Sequence, residues 1–265
     1  MSKKQRAKNG GLDQYFTRPE IVDKCIEVLR KHTTFDDLFI EPSAGGGNFI
    51  KPNMNVVAYD LNPQSEGIIS ANWFDVKVPE NCVVYGNPPF GFAGSLAIKF
   101  FNHAANSAKT IAFIVPKSFK KQSIWNRLNL NFWLVEQFDL PKNSFQIPGE
   151  ELPYDVPCCF QVWKRRETPR IVERQIKSTH IVFCKKQDAT HAIRRVGGRA
   201  GQLLAGLEHS ISSTYFCKIQ DGWVLDAIKL MDRNIVNQTA GVRSISKNEL
   251  VKNIHAFGVE NGYML

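Results

Sequence analysis

The sequence predicts an α/β domain built on a largely parallel sheet, followed by a small basic α+β extension. Strand-length apolar runs alternate with stretches of helical spacing from about residue 14 to residue 165, the pattern of strands joined by crossover helices. Three of those runs end in loops of unusual composition, at Glu41 to Gly47, at Asp60 and at Gly86 to Phe90. In parallel sheets ligands gather at the carboxyl ends of the strands. Beyond Lys164 the chain becomes basic and glycine-punctuated, which marks a different unit. The 265 residues are 43% hydrophobic and 22% charged, values of a folded chain rather than a disordered one.

Residues 1–11 are polar, carry Lys3, Lys4, Arg6 and Lys8, end in Gly10-Gly11, and read as a flexible basic tail. Thr17-Arg18-Pro19-Glu20 reads as a helix start, with Thr17 near the N-cap and proline in the first turn. Ile21, Val22, Cys25, Ile26 and Leu29 keep helical spacing as far as Arg30-Lys31. Asp37 to Ile40 is a short strand running into Glu41-Pro42-Ser43-Ala44-Gly45-Gly46-Gly47, and a helix is expected to follow these glycines. Asn55 to Tyr59 and Asn81 to Tyr85 are the next strands, then a helix from Ser95 to Ser107. Thr110 to Val115 is the most apolar strand, and Trp133 to Leu140 and Cys158 to Trp163 supply two more. Later, Ile171 to Cys184 holds one or two strands, Val196 to Gly201 is a basic glycine loop, and Ser213 to Ile219 is a strand. Trp223 to Asn234 and Lys247 to Ile254 have helical spacing. The expected division is a tail at 1–11, a main domain at 12–165 and an extension at 166–265.

No apolar run reaches the roughly 18 residues of a membrane-spanning helix, so no membrane association is expected. The basic N-terminus has no apolar run behind it, so a secretory signal is not expected. An intracellular, cytoplasmic protein is expected, nuclear if the source is eukaryotic. Six cysteines, Cys25, Cys82, Cys158, Cys159, Cys184 and Cys217, form no C-x-x-C pair and stand in no His–Cys cluster. Idle reduced thiols are expected, with no disulfide scaffold and no metal site.

Lysine and arginine number 34 against 25 acids, a net charge of +9. The distribution is more informative. Asp36 to Phe100 holds seven acids and three bases, whereas Lys164 to Arg199 holds eleven bases and three acids. Lys117, Lys120, Lys121 and Arg127 form a further basic cluster. An acidic middle between basic flanks fits a small-molecule pocket beside a polyanion track, with a merely solvated basic surface as the alternative.

Asn87-Pro88-Pro89-Phe90 is the strongest local signal. Two prolines fix the backbone and donate no hydrogen bond, so the neighbouring carbonyls are acceptors. The Asn87 side chain adds an acceptor oxygen and Phe90 a flat ring. Such a group suits a planar molecule bearing an NH2. Asp60, at the end of the strand after the glycine loop, stands where an acid binds ribose hydroxyls in dinucleotide-type folds, though a strand-end Asp is also a common turn former.

Taken in order, Gln14-Tyr15-Phe16-Thr17-Arg18-Pro19, Glu41 to Phe49, Asp60 and Asn87-Pro88-Pro89-Phe90 follow the motif order of amino-group methyltransferases. Over residues 14–165 the chain resembles the S-adenosylmethionine-dependent N6-adenine methyltransferases, with the gamma-class DNA enzymes the nearest pattern. The resemblance implies a Rossmann-like class I methyltransferase fold and S-adenosyl-L-methionine as cofactor. It implies that Tyr15, Phe16 and Thr17 lie against the methionine part, and that Glu41, Ala44, Gly45 and Gly47 line its amino acid and sulfonium end. Asp60 then takes the ribose hydroxyls and Leu61 meets the adenine. Asn72-Trp73-Phe74 falls where the family has Asp-Phe against that adenine, with Asn72 in place of the acid. Asn87 and the Pro88 carbonyl bind the target N6, Pro89 stiffens the loop, and Phe90 stacks on the base. Phe145 is a candidate second aromatic, an ordinary core phenylalanine being the alternative.

The implied partner is a nucleic acid, DNA ahead of RNA, contacted by Lys117, Lys120, Lys121, Arg194, Arg195 and Arg199, with Tyr215 and Phe216 as candidate stacking rings. The main reading is therefore methylation of adenine N6 in DNA. RNA adenine methylation, protein glutamine methylation, and a non-catalytic subunit that keeps the fold stay open. A protein partner or a homodimer also stays open, since about 100 residues is small for a target-recognition unit.

Overall fold

The computed structural model describes residues 16–146, 155–172, 174, 176–237 and 242–263. They form two compact units, one running up to Val172 and the other from residue 174 onward. The first unit extends past Arg165 because the following residues are bound into it. The Arg165 Nε donates to the Ala108 carbonyl at 2.9 Å, and the buried Arg170 guanidinium donates to the carbonyls of Phe132 and Trp125. Two cations counted in the basic run thus staple the chain to this unit, Arg170 from within and Arg165 from the surface.

The first unit opens with β1 (Phe16–Thr17) and α1 (Pro19–Arg30). Pro19 holds the first helical position, where a missing N–H costs nothing, and Arg18 rather than Thr17 is the N-cap, without a side-chain bond. Ile21, Val22, Cys25, Val28 and Leu29 form the buried stripe of α1. The sheet strands are β2 (Leu38–Glu41), β3 (Asn55–Asp60), β4 (Ile68–Ser70), β5 (Val83–Gly86), β6 (Thr110–Pro116), β7 (Phe132–Asp139) and, after the short β8 (Phe145–Gln146), β9 (Cys158–Arg165). Their order is β4-β3-β2-β5-β6-β9-β7. Strands β4 to β6 pair in parallel, and β9 runs antiparallel between β6 and β7. The α/β fold with a mostly parallel, Rossmann-like sheet is therefore as expected. Every residue of β6 is buried, which is why its sequence is a continuous apolar run rather than an alternating one.

The helical layer is thinner than expected. Among the described residues of this unit only α1 and α2 (Ser95–Ala104) exceed one turn, and α3 (Gln122–Trp125) is a single turn. No helix follows the glycines. Gly45 and Gly47 adopt φ of 53° and 82°, and the chain passes to β3 through turns closed by Gly47 N–H to Ala44 O at 2.7 Å and Ile50 N–H to Gly47 O at 2.9 Å. Left-handed residues interrupt a helix, and here they use the segment as a cradle instead.

The second unit is an antiparallel sheet of β10 (Ile181–Phe183), β11 (His191–Arg194), β12 (Leu203–Leu204) and β13 (Thr214–Ile219), in the order β10-β13-β11-β12. Ile181, Ile193 and Cys217 share a core with Val224, Ile228, Leu250 and Ile254 of α4 (Trp223–Leu230) and α5 (Lys247–Glu260). Helix α4 stops at Leu230, short of the expected Asn234, and a 3-10 segment follows at Arg233–Asn237. Helix α5 starts at the expected Lys247, fixed by a capping box in which Glu249 N–H donates to Ser246 Oγ at 3.2 Å and Ser246 N–H to Glu249 Oε2 at 2.7 Å, and runs on past the expected Ile254 to Glu260. This is the basic α+β extension. No described helix is long and apolar enough to cross a membrane.

Candidate functional site

The carboxyl ends of β2, β3 and β5 meet at a cavity of ≈ 360 Å³. Its walls come from the β1 segment (Phe16, Thr17), the glycine turn (Ala44, Gly45), the end of β3 (Asp60, Leu61), the segment Asn72-Trp73-Phe74, and Asn87 and Pro89 after β5. Distant parts of the chain reach one place because parallel neighbours end on the same edge.

Asp60 braces the glycine turn. Its Oδ2 accepts the Gly45 N–H and its Oδ1 the Asn62 N–H, both at 2.8 Å. Two backbone donors leave further lone pairs on that carboxylate for hydroxyl donors. Gly45 is obligatory for two reasons: its φ is 53°, and a Cβ there would stand 2.9 Å from the Phe16 ring. Leu61 is 64% exposed at the cavity wall.

Glu41 lies behind the cavity rather than in its wall. It is fully buried, and burial pushes its carboxyl well above the ordinary carboxylate range, with the negative charge of Asp60 adding to the rise. The Ser43 N–H, donating to Glu41 Oε1 at 3.2 Å, opposes that rise without overcoming it. Glu41 Oε2 has no hydrogen-bond partner among the described residues. The Ser43 hydroxyl stands 3.3 Å from the Asn87 carbonyl oxygen and so ties the β2 loop to the β5 loop.

Asn87 is oriented by Thr17. Its Nδ2 donates to Thr17 Oγ1 at 3.2 Å, while Asn48 Nδ2 donates to the Thr17 carbonyl at 2.8 Å. Thr17 is buried and paired through β1 with Phe145 of β8. Thr17 and Asn48 thus position the motif from the far end of the sequence. Ser43 and Asn48 were legible only as parts of a motif, and the wall residues Gln64, Leu96 and Phe100 gave no sequence signal.

Several expected contacts take another form. Phe90 is 9% exposed and packs in the main core, outside the cavity wall. Pro88 is buried beside it. Phe145 is fully buried, the core alternative. Asn72 spends its side chain as an N-cap: Oδ1 accepts the Phe74 N–H at 3.3 Å and Nδ2 donates to Asp75 at 3.1 Å. Trp73 is 1% exposed, locked by Nε1 donating to Phe100 O at 3.4 Å, so Phe74 offers the more open ring. Gly47 shapes the turn without reaching the wall. Tyr15 lies outside the described residues.

The expected cations divide similarly. Lys117 and Lys120 both pair with Asp139, with Lys117 Nζ at 3.1 Å. Burial raises the Asp139 carboxyl, but the two ammonium groups outweigh it and hold the group below its ordinary value. Lys121 stands at the N-terminal boundary of α3. Arg194 donates to Ser213 Oγ at 2.8 Å. In the second unit a bridge between Val196 and Ser244, with Gly197 N–H on Arg243 O at 2.9 Å and Ile245 N–H on Arg195 O at 3.0 Å, draws two basic segments together. Arg195, Arg199 and Arg243 are exposed, and none of them nor Lys247 is ion-paired among the described residues. Arg195 and Lys247 lie 5.8 and 5.7 Å from the half-buried Tyr215 ring. Phe216 is 5% exposed and is a core residue. No group of three metal-ligating side chains occurs among the described residues.

No family model and no curated protein matches this sequence. Among solved structures, a proposed RNA methyltransferase from Pyrococcus horikoshii is similar at 12% identity and TM-score 0.48, covering 58% of this chain and 88% of that one. The modification subunit of a proposed type I restriction enzyme from Vibrio vulnificus is similar at 13% identity and TM-score 0.45, over 91% of this chain and 57% of that one. The 23S rRNA methyltransferase ErmE is similar at 13% identity and TM-score 0.43, over 91% and 99%. Identities and scores this low carry nothing about what this chain binds.

Proposed function

We propose that this chain is an S-adenosylmethionine-dependent methyltransferase acting on the N6 amino group of adenine in a nucleic acid, with DNA the favoured polymer on the gamma-class motif order. The observation that supports it is the convergence of Asp60, the glycine turn, Asn87 and Pro89 on one cavity. Its ≈ 360 Å³ lies in the range of small-ligand sites. The residues present fit the cofactor. Gly45 lets the Phe16 ring close against the turn where a Cβ would clash, Asp60 has acceptor capacity for ribose hydroxyls, and its carboxylate favours a sulfonium cation over an anion. S-adenosylmethionine supplies a methyl group on that sulfonium.

The remaining work falls to the chain. The lone pair of an exocyclic adenine amine is delocalised into the ring and is a poor nucleophile. Asn87 and the Pro88 carbonyl would accept its two N–H bonds, favouring a pyramidal nitrogen whose lone pair is exposed. Thr17 holds the Asn87 amide in place, so orientation is fixed before substrate arrives. No general base is required to activate the nitrogen; positioning and exclusion of water carry the step, and the extra proton of the methylated nitrogen would leave afterwards to solvent. A base inside a duplex must first be extruded. Arg195, Arg199, Arg243 and Lys247, none of them ion-paired among the described residues, are proposed to meet phosphates.

The test is methyl transfer from labelled S-adenosylmethionine to matched single- and double-stranded DNA and RNA, with nucleoside mass spectrometry of the product. N6-methyladenine in DNA is the expected result, and product only in RNA would displace DNA as substrate. Asn87→Ala should abolish transfer while calorimetry still registers the cofactor. Full activity in that variant would remove Asn87 from the site.

A further inference from the structure

Lys117 and Lys120 take no part in the proposed chemistry, and a single acid holds both. They sit on a 3-10 turn, Lys117–Lys120, that follows β6 directly. Residues three apart eclipse each other on such a turn, so this spacing sends both ammonium groups to one side. There they meet Asp139, the last residue of β7: Lys117 Nζ lies 3.1 Å from Oδ2, and Lys120 Nζ contacts Oδ1. Each carboxylate oxygen thus has its own cation, and the three side chains together keep one positive charge in excess. The lysines stand on a fixed base. Phe119 between them is buried, and its carbonyl accepts from Gln161 Nε2 at 3.3 Å and from Trp125 Nε1. Asp139 is the loose member, with 45% of its side chain exposed.

The cluster stands beside the cavity. Strand β9 is antiparallel to both β6 and β7, so β6 and β7 run in one direction and end, at Pro116 and Asp139, on the edge where β2, β3 and β5 also end. The Phe119 ring packs against Gly94, where a Cβ would stand 3.1 Å from it, and the Gly94 N–H donates to the carbonyl of the wall residue Gly91 at 3.3 Å. On the other side, the chain leaving Asp139 leads to Phe145, which pairs with the wall residue Thr17. A nucleotide whose base enters the cavity leaves its phosphates outside, on this edge.

We propose that Lys117 and Lys120 form a binding site for a backbone phosphate of the nucleic-acid substrate, and that Asp139 occupies this site until the phosphate displaces it. The proposal rests on the nucleic-acid reading above and adds the residue that restrains its binding step. A phosphodiester offers what this carboxylate offers, two equivalent oxygens sharing one negative charge, and its arrival also releases counterions from the polymer. The two ammonium groups hold the Asp139 carboxyl below its ordinary value, so the occupant stays charged at neutral pH.

The experiment compares the full chain with Asp139→Asn, which keeps the shape and removes the charge, with Lys117→Met plus Lys120→Met, and with the triple variant. Fluorescence anisotropy of mixed-sequence single- and double-stranded DNA and RNA oligonucleotides at one fixed low salt concentration reads affinity. Calorimetry with S-adenosylmethionine shows that each variant keeps its fold and cavity. Asp139→Asn should tighten nucleic-acid binding about 2- to 30-fold, the range for two exposed ion pairs that no longer have to be broken, with cofactor affinity unchanged. In the background lacking both lysines the same substitution should change affinity by no more than about 2-fold. Removing any acid relieves repulsion of a polyanion, and the two backgrounds separate that effect from occupation of the site. No gain in Asp139→Asn, or an equal gain with and without the lysines, overturns the proposal alone. A wild type and an Asp139→Asn variant that both bind cofactor yet bind none of the oligonucleotides overturn the nucleic-acid reading and this proposal with it.

Discussion

Gly86 ends β5 immediately before Asn87, and its backbone φ is 132°. A Cβ at this position would stand 2.0 Å from Oε2 and 2.2 Å from Oε1 of Glu41. Glu41 sits on the adjacent strand β2, fully buried, so its carboxyl has no solvent to retreat into. Gly86→Ala therefore has two separable costs. Holding an L-residue at positive φ costs about 1–2 kcal/mol. Displacing a packed group from sub-van-der-Waals distance costs about 1–3 kcal/mol more. Together they come to about 2–5 kcal/mol, a large part of the 5–15 kcal/mol that stabilises an ordinary domain. The two parts separate in a double-mutant cycle. In a Glu41→Ala background the clash is gone, so Gly86→Ala should cost only its backbone part and the coupling should be about 1–3 kcal/mol. Urea unfolding of the four proteins measures it. A Gly86→Ala cost within about 0.5 kcal/mol of zero, or one equal in both backgrounds, would refute the claim that this glycine makes room for the carboxyl.

Glu41 also predicts a pH dependence. The folded chain keeps this proton above the pH near 4.5 at which an ordinary glutamate releases it, so stability falls as pH rises from there towards the raised folded value. The slope of the effect is about 1.4 kcal/mol per pH unit while one proton is unbalanced. Glu41→Gln has no such proton, and its stability relative to wild type should rise from pH 4 to pH 7; a flat difference would contradict the assignment. Asp60→Ala should weaken S-adenosylmethionine binding about 10- to 100-fold by calorimetry, since hydrogen bonds to a charged group are worth about 1.5–3 kcal/mol. Unchanged affinity would separate Asp60 from the cofactor. Arg195→Ala with Arg243→Ala should lower the slope of log K against log[salt] for nucleic-acid binding by about 1 per lost phosphate contact. An identical slope would take the Val196–Ser244 edge out of the interface.

What the sequence made legible is tied to short-range rules. Alternation of apolar runs located β2, β3, β5, β6, β7 and β9 to within a few residues, because a buried parallel sheet writes itself as strand-length apolar segments. Asp60 and Asn87 could be found because strand ends are where such sheets hold ligands, and both do line the cavity. The strands β4, β11 and β12 went unread because each holds only two consecutive apolar residues, where β2 and β5 hold three. The glycine run was misleading for a physical reason. Consecutive glycines permit a helix start and a left-handed turn equally, and only the Asp60 carboxylate gripping Gly45 N–H decides for the turn. Phe90 and Phe92 could not be told apart as core and surface, since one residue each side of Gly91 the ring environment is set by packing against α2 and not by local sequence.

The charge segregation has a mechanistic consequence under the proposed function. A nucleic acid presents phosphates everywhere, whereas the cavity is bordered by Asp60 and has no lysine or arginine among the described residues of its wall. Such a cavity favours a sulfonium cation and repels a phosphate. The one part of a nucleotide that enters without electrostatic cost is the neutral base. The acidic border of the cavity can then admit the base and turn the backbone away. Specificity for an amine over a phosphate oxygen would thus arise from charge before any hydrogen bond to Asn87 forms. A lysine introduced at Leu61, exposed at the cavity wall, should weaken cofactor binding by like-charge repulsion, and a salt titration should restore part of the loss. An unaltered cofactor affinity in Leu61→Lys would show that the field of the cavity does not make this selection.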